Sequence, residues 1–459
     1  MGREIPGDMG WPIIGHSIKF ISMQPRMFIR EGHAKYGPVF KSHVLGFPQV
    51  FVQHADDIKQ CLLGEERIVT SLMPPSLELL IAKNSILGQH GEEHHERRGV
   101  LMQCLTTSCQ QDLAGIMQPI IAGHVESWMS HTAETNTPVD TYPIIKETTF
   151  ALSQSIVYGE YNQDTNTRIA DLFQTLDEGV ISLPIDLPFT VFGKAVRAKK
   201  ALHTELAKDL LAREREYLTR DRDDFGRGYV NALLADRRDR GESGTTNIDA
   251  VLCQLTLGLA AANQTTSSAL TLVLDGLATR PQLVQQIYQE LNDVFGEREE
   301  LPQMNMSQIR SLTKMDGAIR EILRQHCVAF IIPRKTIKDI PMHNGMIAPA
   351  NWGLCLDTDA CMVDGANFAE SDQFLPERFS KDAPKDIRPG QWEVNFFGGG
   401  SRRCPGAEVA MMTIKIFVAV LVYNAKLRYD TGKKVQFTDL PAPCPKKETP
   451  LTMYVERRD

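Results

Sequence analysis

Apolar positions recur at helical spacing along most of the chain. Residues 25–36 read as a short helix ended by Gly37-Pro38, and residues 110–160 and 166–178 are helical in pattern. A basic helix follows over Lys194–Arg215. The longest run, Asn247–Arg280, has no internal proline and stops before Pro281. Met315–His326 puts Ile319, Ile322 and Leu323 on one face, and Ala407–Ala425 is an apolar, alanine-rich helix. Strand patterns are fewer. Val39–Val52 holds two short runs broken at Gly46-Phe47-Pro48, which reads as a hairpin, and Phe330–Arg334 reads as a strand. The Pro/Gly segment Pro6–Ser17 excludes regular helix, and residues 66–90 read as a loop with short helical pieces.

Composition narrows the function classes. A chain of 459 residues with 42% hydrophobic and 23% charged residues is ordinary for a globular protein. Length alone suggests about three domains. A net charge of −7 argues against a nucleic-acid partner. Nine cysteines without a C-x-x-C pair argue against a disulfide framework or zinc finger and for a reducing compartment. By eye, no stretch of about 18 or more apolar residues offers a membrane span.

The richest chemistry lies in Phe397-Gly398-Gly399-Gly400-Ser401-Arg402-Arg403-Cys404-Pro405-Gly406. Consecutive glycines suit sharp bends and close approach to a flat ligand. Pro405 suits the first turn of the helix behind it. Cys404 at that helix start would find backbone N–H groups and a dipole that favour a thiolate. Taken alone, Cys-Pro-Gly reads equally well as a buried structural cysteine beside a turn. Further back, the middle of the long helix is Ala260-Ala261-Ala262-Asn263-Gln264-Thr265-Thr266-Ser267-Ser268, small enough for close helix packing or for a ligand. Glu321 and Arg324 are i,i+3 neighbours, ordinarily a surface pair.

The complete string resembles the haem-binding signature of the cytochrome P450 family, F-x-x-G-x-R-x-C-x-G, at Phe397, Gly400, Arg402, Cys404 and Gly406. Two distant elements resemble the family too: E-x-x-R at Glu321 and Arg324, and P-E-R-F at Pro376-Glu377-Arg378-Phe379. The resemblance implies a mainly α fold in one domain over 1–459, with a smaller β-rich part around 38–60 and 330–355 and the haem loop at 397–406. It implies haem b (iron protoporphyrin IX) with Cys404 as the iron ligand. His94 and Arg98, where the family has W/H-x-x-x-R, would bind one propionate and Arg334 the other; Phe397, Arg402 and Gly406 complete the cofactor site. Glu321, Arg324 and Arg378 would form a buried structural triad. Thr265 and Gln264 occupy the catalytic positions of the central helix. Ala261, Val328, Ala329, Phe330 and Leu451 are expected in the substrate pocket. The implied reaction is hydroxylation with O2 and electrons from NADPH through a reductase.

Gly7–Gly15, Tyr36–Gly46 and Ser182–Lys194 resemble a clan of plant hydroxylases of abscisic acid, brassinosteroids and terpenoids, and retinoid hydroxylases of animals and cyanobacteria. The clan implies a mid-sized apolar isoprenoid substrate, terpenoid or steroid. The apolar, proline-punctuated 182–193 loop reads either as a lid with peripheral membrane contact or as a buried connector. With an N-terminal anchor upstream of Met1 the protein belongs on the cytosolic face of the endoplasmic reticulum; without one, in the cytoplasm. Three departures stand out. Gln264 replaces the usual acid, Asp357-Thr358-Asp359-Ala360-Cys361 replaces an H-R-D-P-like run, and Asn344–Trp352 lacks the usual Lys-Gly turn. Loss of the acid keeps two alternatives open: a haem-thiolate isomerase or dehydratase that does not use O2, and a non-catalytic haem sensor.

Overall fold

The computed structural model describes residues 3–160, 162–219, 228–297, 301–390, 392–430 and 434–458. A 31-residue helix, Ile248–Ala278, runs through the middle of the helical part. At 1.5 Å per residue it is about 46 Å long. It packs along Thr141–Tyr158, where the buried Thr149 Oγ1 donates to Asn263 Oδ1 at 2.6 Å. Its last turns cross helix Thr313–Gln325 closely: a Cβ on Gly276 would come within 2.8 Å of the Ile322 side chain. Glycine is required there by contact rather than by backbone angle.

The long helical pattern over 110–160 is two helices, Thr107–Thr135 and Thr141–Tyr158. Asn136 ends the first in the left-handed region at φ 52°. Asp140 caps the second, its side chain accepting from Tyr142 N. Periodicity hid a break that the cap residues signal. Helix Ala407–Asn424 is 18 residues, long and apolar enough to cross a membrane, which corrects the by-eye reading; 83% of it is buried inside the protein. It packs on Thr107–Thr135 and Pro281–Phe295 as a core helix.

The β-rich part is a five-stranded mixed sheet in the order Val39–Val44, Phe47–Val52, Gly353–Asp357, Ile331–Thr336, Val69–Ser71. The hairpin turn falls at Leu45-Gly46, both at positive φ (53° and 81°). Pro48 is therefore inside a strand, where its missing N–H is tolerated because pairing with Gly353–Asp357 begins only at Gln49. Residues 66–90 contribute the edge strand Val69–Ser71 as well as short helical turns.

The departures at 357–361 have structural work. Asp357 caps helix Thr358–Val363, accepting from Ala360 N at 2.8 Å. Asp359, buried, pairs with Arg26 and takes Arg30 Nη2 at 2.9 Å, tying helix Pro25–Tyr36 to this segment. The 182–190 loop is open to solvent: Leu183 and Phe189 are 77% and 75% exposed, which removes the buried-connector reading.

Candidate active site

Cys404 follows a tight turn, Gly400–Arg402, and precedes the helix that begins at Ala407. Its N–H donates to Phe397 O at 2.9 Å, closing the loop on itself. Gly398 and Gly400 have φ of 66° and 65°. A Cβ on Gly400 would lie 2.1 Å from the Leu62 carbonyl oxygen, and one on Gly399 would lie 2.6 Å from the Trp392 ring. The glycine run is thus fixed by backbone angle at two positions and by contact at the third. Burial pushes the Cys404 thiol above its ordinary pKa, opposed by the Gly406 N–H and the charges of Arg403 and Arg98. The expected thiolate preference of the helix start is outweighed by desolvation, so a bound cation is what would deprotonate this sulfur.

Helix Gly91–Gln103 brings His94 and Arg98 towards the loop. Burial, then Arg402 and Arg98, push His94 down to about 4. Burial thus favours the neutral imidazole, and Arg98 is the cation of this pair. Arg98 is half-buried, close enough to Cys404 to feel its charge, and makes no hydrogen bond or ion pair with a described residue. A partly desolvated guanidinium without a partner suits a ligand carboxylate.

Arg334 and Arg402 are engaged differently. Arg334 Nε donates to Glu65 Oε2 at 2.7 Å and Nη1 to Pro333 O at 2.9 Å. Arg402 Nη1 donates to Ile86 O at 3.2 Å and Nη2 to Gln89 O; Glu65 Oε1 lies 3.6 Å from its Nε. Both arginines share Glu65, a residue that sequence reasoning missed. Nothing local marks it, because its partners are 269 and 337 residues away.

On the central helix, Ala261 and Thr265 are exposed whereas Asn263 and residues 266–274 are buried. Spaced i,i+4, they share one accessible face of the helix. Thr265 Oγ1 donates to Ala261 O at 2.7 Å. The Gln264 carbonyl accepts from Ser267 Oγ at 2.9 Å and Ser268 Oγ at 3.0 Å. Ala329 is exposed and Val328 half-buried. Two expected pocket residues are placed elsewhere. Phe330 is buried in a cluster with Phe20, Phe28 and Phe51, 4.9 Å below the Arg26 guanidinium. Leu451 is fully buried in the main core, its carbonyl accepting from Thr141 N at 3.0 Å and Thr141 Oγ1 at 2.9 Å.

Glu321, Arg324 and Arg378 come together with no exposure at all. Arg324 Nε and Nη2 donate to the two Glu321 oxygens at 2.8 Å each, and Arg378 Nε reaches Glu321 Oε1 at 3.4 Å. The spare guanidinium protons go to the carbonyls of Met362, Ala369, Glu370 and Gln373. Every charge in this cluster is paired and hydrogen-bonded, which is the condition for burying it.

These features fit a flat anionic cofactor with a metal centre. A half-buried thiol lies within reach of the charges of Arg403 and of the half-buried, unpaired Arg98, and the central helix offers a small-residue face open to a ligand. The cytochrome P450 family model matches residues 5–452. The chain belongs to the cytochrome P450 family. This P450 is an oxidoreductase with the family's haem-thiolate monooxygenase chemistry, and membership implies haem b, O2, a small substrate and an NADPH-dependent reductase. It is similar to the taxane 13-alpha-hydroxylase of Taxus cuspidata, at 26% identity over 98% of this chain and 91% of that protein. It is also similar to the beta-amyrin 28-monooxygenase of Medicago truncatula, at 27% identity over 98% and 92%. The solved structure of a retinoic-acid-bound cyanobacterial CYP120A1 superposes with a TM-score of 0.87 at 25% identity, covering 100% of both chains.

Proposed function

We propose that this P450 hydroxylates a mid-sized apolar isoprenoid, of terpenoid or steroid type, in a pocket bounded by Ala261, Thr265, Val328 and Ala329. The observation that carries the proposal is the open face of the central helix: Ala261 and Thr265 exposed amid buried neighbours. Small side chains there leave room for a broad, rigid skeleton. Relatives named for taxane, beta-amyrin and retinoic acid support the same class.

In this reading Cys404 would bind the haem iron as a thiolate, Arg98 and His94 would hold one propionate, and Arg334 would hold the other. Phe397 and Gly406 shape the loop, and Arg402 with Glu65 braces it. When bound, haem supplies activation of O2 and oxidation of a C–H bond. The chain excludes water, orients the substrate and delivers protons. Thr265 would offer a hydroxyl for that task on leaving its bond to Ala261 O. Gln264 can hold a water by its amide but cannot release a proton near neutral pH. Electrons come from NADPH through a reductase. Peripheral membrane contact is supported by exposed apolar side chains in two segments: Trp11, Ile13 and Ile18, and Leu183, Ile185 and Phe189.

A terpenoid and steroid library titrated into haem-loaded protein tests the substrate class. Members that shift the haem absorbance and are hydroxylated support it; shifts only from small polar compounds would overturn it. Gln264 favours one second reading, an isomerase or dehydratase that needs no O2. Turnover without NADPH and reductase would establish that instead.

A further inference from the structure

Strand Phe47–Val52 passes through Gln53-His54 into helix Ala55–Leu63. The His54 ring stacks on His343, which stands at the tip of the hairpin formed by Ile340–Pro341 and Ile347–Ala348; the centroids are 4.0 Å apart and the planes 13° from parallel. One ligand atom each of His54, Asp56 and His343 lies within 4.8 Å of the others. His54 is half-buried and the other two are exposed, so the cluster is reachable from solvent.

Two buried polar atoms here have no hydrogen-bond partner among the described residues: His54 Nδ1 and Asp57 Oδ2. Asp57 is only 2% exposed. Its Oδ1 accepts the His343 backbone N–H at 2.8 Å and Gln60 Nε2 at 3.1 Å, and Gln60 Nε2 also donates to Pro341 O at 2.9 Å. The two histidine-bearing elements are therefore locked together by their own hydrogen bonds, with unsatisfied acceptor capacity left beside the stacked rings.

We propose that His54, Asp56 and His343 form a binding site for a divalent transition cation of the Zn2+ class, separate from the haem site. Two imidazoles and a carboxylate suit such an ion, with water as the fourth ligand. Bond lengths of 2.0–2.1 Å place tetrahedral ligand atoms about 3.3 Å apart. The near-parallel stack points the two ring nitrogens side by side, so binding would turn the exposed His343 out of the stack and swing the exposed Asp56 towards the ion. Asp57 acts as a positioning residue, fixing the His343 backbone. The helix that begins at this site carries Leu62 at its far end, where the carbonyl abuts Gly400, and Glu65 beyond it holds Arg334 and Arg402. An ion at its start would clamp that helix to the 340–348 hairpin.

The test is calorimetric titration of Zn2+ into tag-free, haem-loaded protein, paired with thermal unfolding with and without Zn2+. The parent protein should bind one Zn2+ per chain and gain thermal midpoint, reversed by EDTA. His343→Ala, a change at an exposed side chain, should weaken binding about tenfold or more, and Asp57→Ala, which removes the acceptor of the His343 backbone N–H, should weaken it as well. Absence of Zn2+ binding by the parent protein, or equal binding by His343→Ala, would overturn the proposal.

Discussion

Glu65 accepts the Nε–H of Arg334 at 2.7 Å, with both side chains almost fully buried. Its other oxygen faces Arg402 at 3.6 Å, so two arginines behind the cysteine loop share one carboxylate, with Glu66 Oε1 a further 3.5 Å neighbour of Arg402. Glu65→Ala leaves the buried Arg334 guanidinium without its carboxylate and Arg402 with Glu66 alone, and should cost about 3–5 kcal/mol, with reduced haem retention. Denaturant unfolding of the haem-loaded protein checks this; a loss under about 1 kcal/mol would assign the site little structural weight.

Arg378 is structural in this account. Its guanidinium sits against Glu321 and the carbonyls of Ala369 and Glu370 with no exposure. Arg378→Ala should leave Glu321 with one partner fewer and cost about 3–5 kcal/mol. Expression should give little folded, haem-loaded protein. A variant with full haem content and stability but slow turnover would argue for a direct catalytic role.

Gln264→Glu should raise the product formed per NADPH. A carboxyl group at this position can exchange protons where an amide cannot, and the Thr265 hydroxyl one residue on is unchanged. Parallel assays of product, NADPH and hydrogen peroxide with a binding substrate measure the coupling. High coupling in the parent that falls in the variant would show that protons arrive by another route.

His203 predicts an acid limb in stability. Burial, then Lys199, push it down to about 4 from the ordinary 6.5, against the pull of Asp249; its Nε2 is buried without a hydrogen-bond partner. Between those values the unfolded chain binds the proton and the folded one does not. The stabilising effect is therefore complete above pH 6.5 and is lost as pH falls towards 4. The slope for one linked proton is at most about 1.4 kcal/mol per pH unit. His203→Leu should flatten this limb in denaturant unfolding at pH 4.5–7, and an unchanged slope would remove His203 as its source.

Local order was legible where residue chemistry is local. The proline-free run 247–280 is the observed helix to within two residues at each end, and the 397–406 loop has the glycines its angles require. The break at Asn136 was masked because helical periodicity continues on both sides of it. The partners of Arg334 and Arg402 were not legible, since Glu65 meets them only through the tertiary fold. Phe330 and Leu451 were assigned to the pocket from their places after helix and turn, yet side-chain direction sends one into an aromatic cluster and the other into the core. The odd run at 357–361 became intelligible only when Arg26 and Arg30 were seen to reach Asp359.

The central claim is that Cys404 ligates the haem iron as a thiolate. The absorbance spectrum of reduced, carbon-monoxide-treated protein tests it most directly, comparing the parent with Cys404→Ser. The parent should show the thiolate-type band and the variant should lose it while still binding haem. A variant that retains the band would contradict the assignment and move the ligand to another residue.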